Sequence, residues 1–274
     1  GLSTAGFSKV DEIPYDFVRR RLTVVVFDAE NAAEHLIVTK GAFANVLAIC
    51  VTLDIGGAEQ PLDAVQRDAL ERVFKEKSAE AFRVLAVATR RVPARAAYAH
   101  SDETATTSRG FLAFYDPPKA DAQSTISDLA ALGVRIKVVT GDNRYVAAHL
   151  AQSIGLDPKS MLTGDQLASL TAEALWHRAP NIDLFVEIDP QQKEQIVHAL
   201  QHTGHAVGYL GDGVNDAPAL NAADVGISVE GAVDVARQSA DIILLDRDLD
   251  VLRIGVEDGR RTFANTLKYI SITT

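Results

Sequence analysis

From Gly110 onward, short β-branched runs alternate with helical stretches, and few folds accept that order. The series runs "GFLAFY", "PKADAQSTISDLAALG", "VRIKVVT", "NRYVAAHLAQSIG", "DLFVEI", "PQQKEQIVHALQ", "HAVGYL", "APALNAA", "VGISV", "AVDVARQSA", "DIILL". Strands separated by crossover helices pair in parallel, so residues 110–274 are expected to form an α/β, Rossmann-like domain on a doubly wound parallel sheet. In such a sheet, ligands gather outside the carboxyl ends of the strands. Residues 1–109 follow another pattern, with strand-like "RRRLTVVVF", "EHLIVT" and "FRVLAVATRR", helix-like "GAFANVLAIC" and "LDAVQRDALERVFKEKSAEA", and a polar link "ARAAYAHSDETATTSRG". That pattern predicts a separate α+β domain built on an antiparallel sheet.

Composition narrows the functional classes. The 274 residues suffice for two ordinary cores, and 47% apolar with 23% charged residues is the balance of a globular chain. No apolar stretch reaches the ~18 residues a membrane-spanning helix needs, and "GLSTAGFSKVDEIP" has neither the basic start nor the apolar core of a leader. Cys50 is the sole cysteine, which excludes an intrachain disulfide and a cysteine-rich metal cluster and suits a reducing, cytosolic setting. A net charge of −10 without a basic run argues against a nucleic-acid partner.

Three polar clusters fall at expected strand ends. In "RIKVVTGDN", Thr140 closes a strand, and Gly141 allows close backbone approach to an anion; a plain strand-to-helix turn reads the same in isolation. "LTGDQL" repeats the tripeptide after "DPKSM", which lacks a strand core, and is read as a helix cap. In "IDPQQKEQIV", Asp189 caps a helix with Pro190 in its first turn. Lys193 then sits near the positive end of the helix dipole, a position that an anion within reach would relieve; a solvated lysine is the ordinary alternative.

The third cluster, "GDGVNDAPAL" at residues 211–220, places two carboxylates and an amide at one turn. If Asp212 and Asp216 approach to about 5 Å, their repulsion at an effective dielectric of ~20 is roughly 3 kcal/mol and demands a cation or a proton. Mg²⁺, a hard cation that takes oxygen ligands, fits, with Asn215 orienting waters or phosphate oxygens. An Asx-rich turn explains "GDG" alone but not the whole string. A hydroxyl, a lysine and an acidic metal site suit phosphoryl transfer, yet no nucleophilic aspartate is evident, and neither a Walker motif nor G-x-G-x-x-G occurs.

The strings "YDFVRRRLTVVV", "TKGA", "FRVLAVAT", "DPPK", "VVTGDN", "DPQQK", "GDGVNDAPAL", "ADVGIS" and "ADIILL" occur in one order from end to end. In this the chain resembles the P-type ATPases, cation pumps with a haloacid-dehalogenase-like phosphorylation domain. "VDEIPYDFVRRRLTVVV" and "GRRTFANTLKYI" are most similar to the magnesium-transporting branch. The resemblance implies that residues 1–109 are the nucleotide-binding domain, with Phe17 stacking on adenine, Lys40 and Gly41 lining the base and phosphate pocket, and Arg83 meeting the phosphates. In the second domain, Asp116 and Asp142 would help close it over ATP. Thr140, Gly141 and Lys193 would grip the transferred group, with Asp212 on Mg²⁺ and Asn215 and Asp216 in support.

The partners so implied are ATP and the rest of the same pump, its actuator and transmembrane domains, on the cytoplasmic side of the cell membrane. Two departures stand out. The family's phosphorylated aspartate lies in a D-K-T-G-T string that this sequence does not contain, which removes a central strand from the parallel sheet and the covalent step. Glu187 of "FVEIDP" stands where the family usually has arginine. The expectation is therefore the ATP-binding and phosphoryl-handling portion of a cation-transporting pump, without turnover of its own. A haloacid-dehalogenase-like phosphatase and a catalytically silent nucleotide-binding module are the alternatives.

Overall fold

The structure, a computed structural model, describes residues 4–115, 117, 119, 121–246 and 248–273. The chain divides into two compact units, Gly1–Asp116 and Pro117–Thr274.

The first unit is built from β1 (Phe7–Asp16), β2 (Arg21–Asp28), β3 (Glu34–Ala42), α1 (Phe43–Leu47), β4 (Cys50–Ile55), β5 (Ala58–Pro61), α2 (Ala64–Ala79), β6 (Phe82–Pro93) and β7 (Thr106–Tyr115). Its seven strands form one sheet in the order β1-β2-β3-β6-β7-β4-β5. All neighbours are antiparallel except β4 and β7, which pair in parallel.

Strict alternation fixes which face each side chain takes. Val25, Ile37, Ala86 and Ala88 point inward. Phe43, Val46 and Leu47 of α1, with Leu70 and Phe74 of α2, cover Ala86 and Ala88, and Phe43 stacks on Phe74 with centroids 4.5 Å apart. Asp63 starts α2 through a reciprocal capping box with Gln66. On the opposite face Lys40, Arg83, Leu112 and Phe114 are exposed.

Strand β7 corrects the domain boundary expected after residue 109. "GFLAFY" is not the first strand of the second domain. It is the second half of β7, paired antiparallel with β6 from Phe82↔Tyr115 to Thr89↔Thr107. Gly110, at φ +131°, sits at the irregularity in that ladder, so a break in pattern that looked like a linker is a bulge inside one strand.

The second unit alternates as expected: α3 (Ala122–Ala131), β8 (Val138–Val139), α4 (Arg144–Ser153), β9 (Met161–Thr163), α5 (Gly164–Ala168), α6 (Ala172–Arg178), β10 (Leu184–Val186), α7 (Pro190–His202), β11 (Gly208–Leu210), α8 (Ala217–Ala222), β12 (Val225–Val229), α9 (Asp234–Gln238), β13 (Ile242–Leu244) and α10 (Asp250–Thr273). All its strand pairs are parallel, but they form two three-stranded sheets, β8-β10-β9 and β11-β12-β13, rather than one. Central β10 is buried on both faces, with Leu184, Phe185 and Val186 fully enclosed.

Strand β8 pairs only with β10, and β11 only with β12, among the described residues. The segment before "TGDQ", read as lacking a strand, forms the short β9, while Thr163 does cap α5 through Gln166. No helix of the described residues is long and apolar enough to cross a membrane.

Candidate phosphate-handling and nucleotide sites

In the first unit, Asp16 builds the turn that presents Phe17. Its Oδ1 accepts the Val18 and Arg19 N–H groups at 2.9 and 2.6 Å, an Asx turn. Phe17 is 43% exposed and meets Tyr15 edge-to-face, centroids 5.4 Å apart. The same turn crosses β3 so closely that a Cβ on Gly41 would collide with the Arg20 carbonyl and with Arg21, and Ala42 N–H bonds that carbonyl at 2.9 Å. The glycine of "KGA" thus has a packing reason of its own.

Lys40, flanked in register by Leu22 and Val87, lies on the exposed face of the sheet. Arg83 shares that face, across from Phe114. Phe17, Lys40, Gly41 and Arg83 therefore all belong to the first unit; Asp116 lies outside the described residues.

Beneath this unit's other face is a buried carboxylate that the sequence did not disclose. Glu103 accepts bonds from Arg19, from Arg21 Nε at 2.9 Å and from Thr23 Oγ1 at 2.7 Å, and Thr23 also bonds Thr39 at 2.8 Å. Burial alone would raise the Glu103 carboxyl, but the bonds from Arg19, Thr23 and Arg21 outweigh it and hold the group below the ordinary glutamate range.

In the second unit, Thr140 extends the β8–β10 ladder past the strand ends. Its N–H donates to Phe185 C=O at 2.9 Å, and its C=O accepts from Ile188 N–H at 3.0 Å. Its hydroxyl accepts the Asp142 N–H at 3.0 Å. A Cβ on Gly141 would approach only the Ile188 carbonyl, at 3.5 Å, so packing does not require glycine there.

One residue beyond Ile188, Asp189 caps α7 by a reciprocal box with Gln192, with Pro190 in the first turn as read from sequence. Lys193 follows, and its Nζ lies 2.7 Å from Asp216 Oδ1. The anion near the helix start is thus a side chain of the protein.

Asp216 is bound from every side. Tyr209 OH donates to Oδ1 at 2.9 Å, and the N–H groups of Gly213 and Asp212 donate to Oδ2 at 3.0 and 3.2 Å. Burial would raise this carboxyl, but Lys193, the Gly213 N–H and Tyr209 together hold it below the ordinary aspartate range. Tyr209 is pushed the other way, upward, by burial and by the Asp216 charge. A Cβ on Gly211 would come within 2.5 Å of Asp216 Cβ, so that glycine is what lets the loop fold back on itself.

This arrangement revises the charge argument made from sequence. The cation that offsets the second carboxylate is Lys193, and both oxygens of Asp216 are already engaged, so Asp216 does not present a free ligand. Asp212 is exposed at the end of β11, with Asn215 half-buried nearby in the turn Val214–Asp216. No group of three or more His, Cys, Asp or Glu side chains converges to hold a metal among the described residues. One free carboxylate still suits Mg²⁺, which commonly takes one or two protein carboxylates and fills its shell with water and phosphate oxygens.

Two contacts at this rim were not read from sequence. Tyr209 could have been suspected, since a tyrosine within a buried strand needs a partner for its hydroxyl. The pairing of Arg144 with Glu187, 43 residues apart, carries no local signal.

Residues 3–121 match the family described as P-type ATPase, cytoplasmic domain N. The Escherichia coli (strain K12) protein named Magnesium-transporting ATPase, P-type 1 is 46% identical over 268 residues, 97% of this chain and 30% of that relative. The chain is thus similar to the P-type ATPases, over residues 3–121 to their cytoplasmic domain N. A Salmonella typhimurium (strain LT2) protein of the same name is 45% identical over the same shares. The Mycobacterium tuberculosis (strain H37Rv) protein named Probable cation-transporting ATPase F is 34% identical over 278 residues, again 97% of this chain and 30% of the relative. The chain spans 30% of the length of these curated family members, and the similarity extends through both units rather than the matched N-domain segment alone.

Proposed function

We propose that this chain is the ATP-binding and phosphoryl-handling part of a P-type cation pump, of the magnesium-transporting kind. The observation that carries the proposal is the Lys193–Asp216 pair, held 2.7 Å apart beneath the exposed Asp212 at a strand's carboxyl end. Phosphoryl transfer needs positioned cations around a transferring group and little else from the protein. Lys193 is the cation to offset charge on that group, Thr140 and the open backbone at Gly141 bind its oxygens, and Asp212 holds Mg²⁺. Bound Mg²⁺ would supply charge neutralisation at the phosphate oxygens. Asp216 anchors Lys193 and the loop rather than serving as a second metal ligand.

In the first unit, Phe17, Lys40 and Arg83 are proposed to hold the adenine and phosphates on the exposed sheet face. Asp116 and Asp142 are proposed to help close the site over ATP. The names of the relatives support the ion. The single-edged strands β8 and β11 support insertion of a further parallel strand, bearing the phosphorylated aspartate, between them.

Calorimetric titration with Mg-ATP tests the reading. Binding that weakens about tenfold or more in Lys40→Ala supports it, and absence of any binding by the unaltered chain refutes it. The chain alone is expected to form no acid-stable phosphoryl-protein from labelled ATP, and grafting a D-K-T-G-T strand is expected to restore it.

A further inference from the structure

We propose that Arg144 and Glu187 form a clasp that fixes the Thr140 turn against the start of α7, and so sets the spacing between the groups that Thr140 and Lys193 present. Both residues lie outside the set to which the family resemblance assigns the chemistry, and the inference rests on the phosphoryl-handling role proposed for that rim.

Glu187 is bent into the left-handed region, φ +60°, where a non-glycine residue is uncommon. Such a conformation persists where surrounding contacts over-determine it. At Glu187 they come from both backbone and side chain. Its N–H donates to Asp142 C=O at 2.9 Å. Its carboxylate takes Arg144 as a fork, Nε to Oε1 at 3.2 Å and Nη2 to Oε2 at 3.0 Å, and Oε1 also accepts the Arg144 backbone N–H at 3.2 Å.

Arg144 opens α4, directly after the turn of Thr140, Gly141, Asp142 and the capping Asn143. Glu187 lies two residues before Asp189, which caps α7 and brings Lys193 into its first turn. The pair therefore joins the two loops on which the phosphate-binding groups stand. A monodentate surface pair would contribute little, but a fork with an added backbone bond restricts orientation as well as distance.

The charges of the pair are complementary, with the Arg144 guanidinium reaching the rim at which Glu187 stands. Glu187 is 21% exposed at its side chain and Arg144 49%, so the fork is open to solvent on one side and can form without burying an unpaired charge.

The test is a double-mutant cycle of Arg144→Gln and Glu187→Gln in the full chain, with two readouts. Hydrogen exchange at the Asp142 amide, which the Thr140 hydroxyl protects, reports the turn. Orthophosphate titration followed at the Gly141 and Asp142 amide signals reports binding. Each single variant is expected to speed Asp142 exchange roughly tenfold and to weaken phosphate binding roughly 3- to 10-fold at an unchanged melting temperature, and the double variant is expected to be no worse than either single.

Unchanged exchange in the single variants overturns the clasp, as do effects that multiply in the double variant, or unaltered phosphate affinity where the parent chain binds. If the parent chain shows no phosphate-dependent shift at Gly141 or Asp142, the phosphoryl-handling reading falls, and the exchange cycle still decides the clasp by itself.

Discussion

Lys193 Nζ stands 2.7 Å from Asp216 Oδ1, and each side chain keeps only 12% of its exposure. A lysine in the first turn of a helix is mildly unfavourable, so the pairing explains why it is tolerated there. The carboxylate has three further donors, Tyr209 and two backbone amides, and remains well satisfied if Lys193 turns toward another anion.

Removing the cation should therefore be costly but not ruinous. Lys193→Met is expected to destabilise the second unit by about 3 kcal/mol, the low end for breaking a buried pair. Trp176 is the chain's sole tryptophan and lies in the second unit, so its fluorescence in urea reads this loss directly. A midpoint unchanged from the parent would show that the pair contributes nothing.

Tyr209→Phe deletes one neutral donor and leaves the ring's packing in place. The expected loss is about 1 kcal/mol by the same fluorescence transition. A larger effect would mean that the hydroxyl, rather than Lys193, is the main support of Asp216.

Two glycines should behave in opposite ways. Gly211→Ala places a methyl 2.5 Å from Asp216 Cβ and is expected to cost about 1–3 kcal/mol through overpacking. Gly141→Ala meets nothing nearer than a carbonyl at 3.5 Å and should leave stability within about 0.5 kcal/mol while weakening phosphate binding. Equal thermal shifts in the two variants would contradict the packing described.

Acid should unfold both units through their buried carboxylates. Glu103 and Asp216 are held below their ordinary values of 4.5 and 3.8, so each contributes stability that is complete above that value and is lost as pH falls through the lower folded one. Stability is expected to be flat in this respect above about pH 5 and to fall below pH 4.5 for the first unit and below 3.8 for the second. Labelling of the buried Cys50 thiol follows the first unit, and Trp176 fluorescence the second. Glu103→Gln should flatten the acid limb seen by Cys50 and leave that of Trp176 unaltered.

What the sequence disclosed was mostly local. Asp189, Pro190 and Gln192 announce the start of α7 within four residues, and Thr163 with Gln166 announces α5, because capping is satisfied by neighbours in the chain. Much of the strand and helix order of the second unit follows from periodicity, but the three-residue β9 and the seven-residue α6 are too short to show a period and were not read. Pairing was less visible. "GFLAFY" is plainly a strand, yet only its hydrogen bonds to β6 say which unit owns it, and periodicity does not record partners.

The same limit applies at the candidate sites. Asp212, Asp216 and Lys193 were singled out by residue type and position, but that Lys193 neutralises Asp216 across 23 residues, or that Arg144 forks onto Glu187, depends on folding. Glu103 sat unnoticed in a polar link because its partners Arg19, Arg21 and Thr23 lie some eighty positions earlier.

The order of strands in the seven-stranded sheet governs the sequence of events during synthesis. The β4–β5 hairpin leaves the ribosome ahead of its neighbour in the sheet, β7, which runs from Thr106 to Tyr115. Until Thr106–Ser108 have been extruded, the hairpin has no strand to dock against and its edge is open to misassociation. A nascent chain halted at residue 109 would carry the β4-facing residues Thr106–Ser108 but lack residues 110–115, so the strand that holds the hairpin would itself be held to β6 only through Thr107 and Ser108.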